Sequence, residues 1–269
     1  MNADTEILVI DDEQVILDAV TKICTSEGYR VASALDAETG LQLLDTRSFS
    51  LILCDVMMPK MDGFAFLKLS LRKAPDTPVI MATGFSTVET AVQALTVGAA
   101  DYIPKPFTFD ELMSAVQRGL RYRAIRQRQQ GTGGPPLPED PIVVPCPPRY
   151  RRLGHTSWVS LENDGTARVG VTHLFVRTIE QPVSVEMLAA EGEIVQGTVC
   201  AQIHTQDGLV HPVLSPISGR IVDTNAELQS FPTIIEKDPY FTGWLYRAIP
   251  TDVEYEIARL QPCGSDPLT

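Results

Sequence analysis

Five polar residues stand where short apolar runs end in the first part of the chain. Asp11 and Asp12 follow ILVI, Asp55 follows LILC, Thr83 follows VIMA and Lys105 follows DYIP. In an open parallel sheet, ligands bind beyond the carboxyl ends of the strands, so we expect these side chains to meet at one edge. Packed carboxylates repel one another unless a cation lies among them, and oxygen ligands of this kind suit Mg²⁺. A cation beside a carboxylate, faced by a lysine and a hydroxyl, is suited to phosphoryl transfer, in which positioning and charge neutralisation supply most of the catalysis.

The elements that must position these residues are predicted by an alternation of two patterns. Between residue 6 and about residue 125, short β-branched or leucine-rich runs alternate with segments of helical periodicity. This alternation is typical of an α/β domain, in which helices cover both faces of a parallel sheet. Two helix starts carry predicted capping boxes, Ser86 with Glu89 and Thr108 with Glu111.

Four motifs in this region resemble those of a known family. VIDDE, LCDVMMPKMDG, MATG and YIPKP, in this order, resemble the receiver domain of bacterial two-component response regulators. The resemblance implies a flavodoxin-like, doubly wound, five-stranded parallel fold. It also implies that Asp55 accepts a phosphoryl group from a histidine kinase. Asp12, Asp55 and the backbone carbonyl of Met57 would ligate Mg²⁺, and Asp11 would act on the ion through water.

The same resemblance implies how the domain responds to phosphorylation. Lys105 and Thr83 would contact the phosphoryl oxygens, and Tyr102 would occupy the family's switch-aromatic position, although an aromatic residue in a strand can also be plain core. The Lys105-Pro106 peptide bond is expected to be cis. We expect phosphorylation to shift a population of conformers, with the helix that begins near Ser86 following Thr83. Apart from catalysing its own phosphorylation and dephosphorylation, the domain is not expected to be an enzyme.

The second part of the chain follows a linker and has a different pattern. The sequence predicts the receiver at residues 1–125, a helix end and Pro/Gly-rich linker at 126–149, and a further domain at 150–269. Period-2 runs and Asp-Gly turns in this last stretch predict a mainly β domain. Asp-Gly at 164–165 and 207–208 favours type I′ hairpins, in which both central residues have positive φ.

Three segments of the second part resemble the glycine-cleavage H protein, a lipoyl carrier with a barrel-sandwich fold. These are GHTSWVSLENDGTARVGVT, SPISGRIVDTNAEL and KDPYFTGWLYRAIP. In that family the lipoylated lysine lies eight residues before the proline of the SPVSG-like turn. Counting back from Pro216 gives Gly208, and Lys237 is the only lysine after Lys105. We therefore expect no lipoate, and a lipoyl-type scaffold that is retained for binding another protein.

The sequence also leaves two other functions open. One is a metabolic carrier under phospho-control, which the missing lysine disfavours. The other is a metal-binding protein, because a hairpin could bring His204 opposite His211, with Cys200 and Asp207 close in sequence. That spacing matches no established zinc signature.

Composition bounds the partners and the location. The chain has 269 residues, 44% of them hydrophobic and 21% charged, with a formal net charge of −12. A negative surface disfavours binding to nucleic acid or anionic membrane. We expect a sensor histidine kinase and an unidentified output protein as partners, a possible homodimer through the receiver, no direct DNA binding and no membrane insertion. The basic run from Arg118 to Arg128 is interpreted as a solvated helix face.

The cysteines suggest a reducing compartment. Five cysteines are scattered without a C-x-x-C pair, which favours free thiols over disulfides or a zinc site. Together with an N-terminal segment that does not resemble a secretory signal, this predicts a cytoplasmic protein.

Overall fold

The computed structural model describes residues 5–84, 87–131 and 143–263. Contacts between residues divide the chain into two compact units. The first unit comprises Met1–Thr87 and Val97–Pro135, and the second comprises Val88–Thr96 and Pro136–Thr269. Within the described residues, no helix has both the length and the apolar character needed to cross a bilayer.

The first part of the chain alternates strands and helices as the sequence predicts. The strands are β1 (Glu6–Ile10), β2 (Arg30–Ala34), β3 (Leu51–Asp55), β4 (Val79–Thr83) and β5 (Asp101–Pro104). The helices are α1 (Gln14–Ser26), α2 (Ala37–Thr46), α3 (Gly63–Lys73), α4 (Val88–Val97) and α5 (Phe109–Gln129).

The five strands form one parallel sheet in the order β2-β1-β3-β4-β5. This order confirms the doubly wound α/β fold, and its topological switch point lies between β1 and β3. The three central strands are buried on both faces: Leu8, Ile52 and Ile80 are all fully inaccessible to solvent. Such burial explains why these strands are continuous apolar runs rather than alternating ones.

Side-chain caps fix several helix starts. The predicted capping box at Thr108 is present: its hydroxyl accepts from the Glu111 N–H at 3.2 Å, and the Glu111 carboxylate accepts from the Thr108 N–H at 2.7 Å. The box predicted at Ser86 lies outside the described residues.

The basic run on α5 is not simply a solvated face, so that interpretation was wrong. Arg118 is buried, and its guanidinium is 2.6 Å from the Asp101 carboxylate. Arg123 donates a hydrogen bond of 2.8 Å to the hydroxyl of Ser50. The charge pattern of a single helix does not show which partners from other strands and loops will neutralise it.

The second unit is mainly antiparallel β-structure, as predicted. Its strands are β6 (Arg151–Leu153), β7 (Ser157–Leu161), β8 (Ala167–Val171), β9 (Pro182–Met187), β10 (Glu193–Ile194), β11 (Val199–Thr205), β12 (Val210–Leu214), β13 (Gly219–Thr224), β14 (Trp244–Pro250) and β15 (Gln261–Pro262). Its further helices are α6 (His173–Thr178), α7 (Glu227–Ser230), α8 (Ile234–Lys237) and α9 (Val253–Ala258). One sheet has the order β10-β13-β14-β8-β7-β6-β15 and the other the order β12-β11-β9.

The two Asp-Gly turns differ from the predicted type. Gly165 and Gly208 each have a φ of +83°, but Asp164 and Asp207 do not have positive φ. In the β11–β12 turn, Thr205 N–H donates to the Leu209 carbonyl at 3.1 Å and Gly208 N–H donates to the Thr205 carbonyl at 3.0 Å. These bonds define a three-residue turn that closes with a left-handed glycine rather than a type I′ turn.

The expectation that all cysteines are free was also wrong. Cys146 and Cys263 form a disulfide across 117 residues of sequence, with their Cα atoms 5.4 Å apart. Cys24, Cys54 and Cys200 are free and buried. No local motif predicts a pair so distant in sequence.

The residues 143–148, which we call the strap, lie next to an aromatic cluster. The cluster contains Tyr150, Trp158 and Tyr240, with the Tyr150 and Trp158 ring centroids 4.8 Å apart, and it packs with both disulfide cysteines. The Val144 N–H donates to His173 Nδ1 at 2.6 Å, and the Tyr240 hydroxyl donates to the Val144 carbonyl at 3.3 Å. The strap is therefore held through both backbone groups of one residue.

The strap contact predicts a pH-dependent stability. Burial, assisted by the charge of Arg177, lowers the pKa of His173 to about 4, although a contact with the Glu236 backbone opposes the shift. As the pH falls, this histidine takes up a proton in the unfolded chain, where its pKa has the ordinary value near 6.5, before it does so in the folded protein. Stability from this residue is therefore complete above about pH 6.5 and is lost as the pH falls towards 4, by about 3 kcal/mol in total.

Urea denaturation of wild type and His173→Asn between pH 7.5 and pH 4 checks this prediction. Asparagine keeps an acceptor for Val144 N–H but does not titrate, so the variant should lose less stability on acidification. His204→Asn, at a partly exposed site, serves as the matched control and should follow wild type. Equal pH dependence in wild type and His173→Asn would contradict the prediction.

Candidate functional site

The ends of β1, β3 and β5 bring three predicted site residues together. Asp11 directly follows β1, Asp55 is the last residue of β3, and Lys105 directly follows β5. The Lys105 ammonium donates to Asp11 Oδ2 and to Asp55 Oδ1, both at 2.5 Å. The edge of the sheet therefore gathers two carboxylates around one cationic group, as the sequence predicts.

These three side chains are largely removed from water. The exposed fraction of the side chain is 3% for Asp11, 6% for Asp55 and 9% for Lys105. Burial raises the pKa of Asp55, an effect that its bonds to Lys105 only partly offset. Burial alone would lower the pKa of Lys105, but the hydrogen bonds and charges of Asp11 and Asp55 outweigh it and raise the value.

Backbone N–H groups hold the remaining carboxylate oxygens. Met57 N–H donates to Asp55 Oδ2 at 2.5 Å, and Glu13 N–H donates to Asp11 Oδ1 at 3.0 Å. Both carboxylates therefore have fixed orientations, set by the loops that follow their own strands. Such preorganisation is the main requirement for positioning a transferred phosphoryl group.

Gly63, at the start of α3, allows the helix to approach Asp55. A Cβ atom at this position would overlap the Asp55 carbonyl oxygen and would lie 2.9 Å from the Val56 Cα. The Gly63 N–H donates to the Val56 carbonyl at 2.9 Å. The motif patterns did not predict this role for Gly63, although the glycine stands in the MDG end of the motif that contains Asp55.

The remaining predicted receiver residues occupy the same end of the sheet or its strands. Thr83 is the last residue of β4 and is fully buried, and its carbonyl accepts from the Lys105 N–H at 2.8 Å. Tyr102 lies within β5 and is 7% exposed. The Lys105-Pro106 bond is cis, as expected from the resemblance. Burial keeps the pKa of the Cys54 thiol well above its usual value, consistent with a buried apolar residue.

The oxygen donors suit a hard divalent cation. Asp11 and Asp55 supply buried carboxylates at one edge, whereas Asp12 is exposed directly after Asp11. Among the described residues, no three histidine, cysteine or acidic side chains are gathered in a metal-holding arrangement. The donor chemistry fits Mg²⁺, and in this conformation the Lys105 ammonium provides the positive charge between the two buried carboxylates.

The β11–β12 hairpin differs from the arrangement considered for a metal. His211 pairs with Ile203 across the hairpin, and His204 pairs with Val210. Because side chains alternate along a strand, this offset of one residue directs the two histidines to opposite faces. His211 is buried beside Thr205 at 3.1 Å, and His204 lies 3.4 Å from Glu186. The register therefore does not place His204 opposite His211, the arrangement that the metal-binding alternative needs.

Gly208 lies in the exposed turn of this hairpin. The Asp207 carboxylate accepts from the Thr205 hydroxyl at 2.6 Å and from the Leu209 N–H at 3.3 Å. A Cβ atom on Gly208 would meet nothing within 4 Å. The turn is therefore well formed, and space does not prevent a side chain at this position.

Comparisons with known proteins match two separate parts of the chain to two families. The family model "Response regulator receiver domain" matches residues 7–117, and the model "Glycine cleavage H-protein" matches residues 149–262. Neither description names an enzyme. Both resemblances found in the sequence are confirmed.

Curated relatives include the transcriptional regulatory protein CpxR of Shigella flexneri, 36% identical over 188 residues, covering 69% of this chain and 78% of the relative. The transcriptional regulatory protein ZraR of Salmonella typhi is 39% identical over 117 residues, covering 44% of this chain but only 26% of the relative. A solved CheY-like receiver domain from Methanospirillum hungatei is 34% identical, with a TM-score of 0.43, and the match covers 44% of this chain and 95% of that one.

The chain belongs to the response regulators of two-component systems, and its first part is a receiver domain. Receiver domains in general depend on Mg²⁺. One expectation is overturned by the relatives: CpxR and ZraR are transcriptional regulatory proteins, which contradicts the prediction of no direct DNA binding. Net charge describes the whole chain and does not report on the surface of one output region.

Proposed function

We propose that Asp55 is the phosphoryl acceptor of a phosphorelay and that a histidine kinase supplies the phosphoryl group. The observation that carries this proposal is the Lys105 ammonium, 2.5 Å from both Asp11 Oδ2 and Asp55 Oδ1 at a buried sheet edge. A buried carboxylate paired with a lysine at the switch point of a doubly wound sheet is suited to accept and then stabilise an anionic group.

Each neighbouring residue has a proposed task. Asp11, Asp12, Asp55 and the Met57 carbonyl would hold Mg²⁺, which would neutralise phosphoryl charge when bound. Lys105 neutralises the carboxylates before transfer and a phosphoryl oxygen after it. The Thr83 hydroxyl, buried at the end of β4, would bond another phosphoryl oxygen.

Phosphorylation is proposed to act as a switch. A phosphoryl group on Asp55 would draw Lys105 away from Asp11 and would draw the Thr83 side chain towards the new oxygens. Because the Thr83 carbonyl accepts from the Lys105 N–H, the ends of β4 and β5 would respond together. Tyr102, in the middle of β5, is the proposed aromatic that reports this change.

The output is proposed to pass through protein binding by the second domain. We propose a receiver at 1–125, a helix end and linker at 126–149, and an H-protein-like domain without lipoate at 150–269. Gly208 stands where a lipoyl carrier has its lysine, and lipoylation requires a primary amine. The turn therefore supports a binding scaffold rather than a carrier. Intact mass distinguishes the two: a lipoyl adduct on the purified protein would favour the phospho-controlled carrier.

Acetyl phosphate with Mg²⁺ tests the acceptor. Wild type should gain one phosphoryl group, whereas Asp55→Asn should gain none, because the amide oxygen cannot form the acyl phosphate. Asp45→Asn, which removes an exposed carboxylate at the end of α2, is the matched control and should label like wild type. Equal labelling of wild type and Asp55→Asn would place the acceptor elsewhere.

A second candidate function, transcriptional control, is favoured by the names of the relatives. It is tested by selecting bound fragments from a genomic DNA library with the full chain, with and without acetyl phosphate. Phosphorylation-dependent enrichment of one sequence would support this candidate, and recovery of fragments without sequence preference would count against it.

A further inference from the structure

The disulfide joins the strap to the edge of the larger sheet of the second unit. Cys146 lies in the strap, and Cys263 directly follows β15. Cys146 is 8% exposed and Cys263 is fully buried, and both pack against the aromatic cluster. The disulfide therefore fixes the strap, which precedes β6, against one end of the aromatic cluster.

Hydrogen bonds hold the strap in addition to the disulfide. Val144 is held by His173 and Tyr240, and the Tyr240 hydroxyl also accepts from the His173 N–H at 3.0 Å. Further along, the Tyr150 N–H donates to the Pro147 carbonyl at 2.9 Å. In the structure these contacts hold the backbone on both sides of Cys146.

The edge that carries Cys263 is a short strand. Strand β15 contains only Gln261 and Pro262, and its strand partner within the part of the chain that the structure describes is β6. The Cys263 N–H donates to the Tyr150 carbonyl at 3.2 Å. Short edges of this kind open locally at low free-energy cost, which gives a reagent access to sulfur atoms that are buried in the closed state.

We propose that Cys146 and Cys263 form a reversible thiol–disulfide site that controls whether the strap stays in place. A Cys thiolate attacks one sulfur of a small-molecule disulfide, which releases one thiolate and leaves a mixed disulfide. The second Cys thiolate attacks that bond, joins the two cysteines and releases the second thiolate. Two electrons pass to the reagent, and the two protons from the cysteines end on its two thiols. A dithiol reverses the reaction.

The other cysteines differ from this pair. Burial raises the pKa of Cys24 to about 11 and of Cys200 to about 12, and neither forms a disulfide. Such thiols are poor nucleophiles at neutral pH, since the thiolate is the reactive form. Exchange should therefore be confined to the strap and the edge strand.

The test uses the full chain treated with either oxidised glutathione or dithiothreitol. After denaturation and alkylation, the oxidised protein should show two fewer reactive cysteines, and peptide mapping should join Cys146 to Cys263. Native trypsin cleavage after Arg149, an exposed residue directly after the strap, should be at least about tenfold faster in the reduced protein.

Variants separate the disulfide from general instability. Cys263→Ser should be cleaved after Arg149 at the fast rate under both treatments, whereas Cys24→Ala should keep the redox difference. Tyr240→Phe, which loses only a hydroxyl, should speed cleavage and still form the disulfide. The proposal is overturned if all cysteines of the glutathione-treated protein remain alkylatable, or if both forms are cleaved equally fast. Neither outcome depends on phosphorylation of Asp55.

Discussion

Lys105→Met is expected to lower the free energy of unfolding by about 3–5 kcal/mol, the usual cost of removing one partner from a buried ion pair. The ammonium lies between two carboxylates whose side chains are only 3% and 6% exposed. Without it, Asp11 and Asp55 face each other with no compensating charge. Methionine has a similar length, so lost charge rather than lost volume should dominate the effect.

Urea denaturation at neutral pH measures this loss. Lys73→Met is the matched control because its ammonium pairs with Asp45 at the surface, where both side chains are more than a third exposed. That variant should lose no more than about 1 kcal/mol. If Lys105→Met were as stable as Lys73→Met, the ammonium would not be neutralising buried charge.

Gly63→Ala is expected to destabilise the receiver by about 2–3 kcal/mol and to slow phosphoryl transfer. The added Cβ would meet the Asp55 carbonyl oxygen and the Val56 Cα, which are backbone atoms of the strand end and the loop after it. Backbone cannot rotate aside, so α3 or the end of β3 must shift, with a cost typical of overpacking. The helix-propensity advantage of alanine, about 1 kcal/mol, offsets only part of this cost.

Gly40→Ala is the matched control in α2. Its Cβ would meet chiefly the terminal atoms of the Ile10 and Phe66 side chains, which can move. Stability by urea denaturation and labelling by acetyl phosphate should both fall further in Gly63→Ala than in Gly40→Ala. Normal labelling of Gly63→Ala would show that the α3 approach does not position Asp55.

The receiver fold and the gathering of its site residues could be predicted because both follow from local patterns. Buried parallel strands are continuous apolar runs, and a polar residue at each strand end must reach the same sheet edge. The ion-pair partners of charged side chains could not be predicted from such local patterns. Nothing in the sequence shows that Arg118 is buried against Asp101, because that pairing joins separate elements.

The second domain could be predicted to a coarser level. Period-2 patterns and the H-protein resemblance gave its β character and identified Gly208 as the position without a lysine. They did not give the register, and a shift of one residue decides whether His204 and His211 share a face. The Cys146–Cys263 pair could not be predicted for a related reason: the two cysteines are 117 positions apart in the sequence and meet only in the folded domain.

The disulfide also changes how the second unit would respond to force. A pull applied between the linker and the residue after Cys263 would pass through one covalent bridge, so the strands between Cys146 and Cys263 would carry almost no load. Once the bridge is reduced, the same pull would act directly on the short β6–β15 pairing, which would tear first. The oxidised domain would therefore resist extension, whereas the reduced domain would extend under the same force.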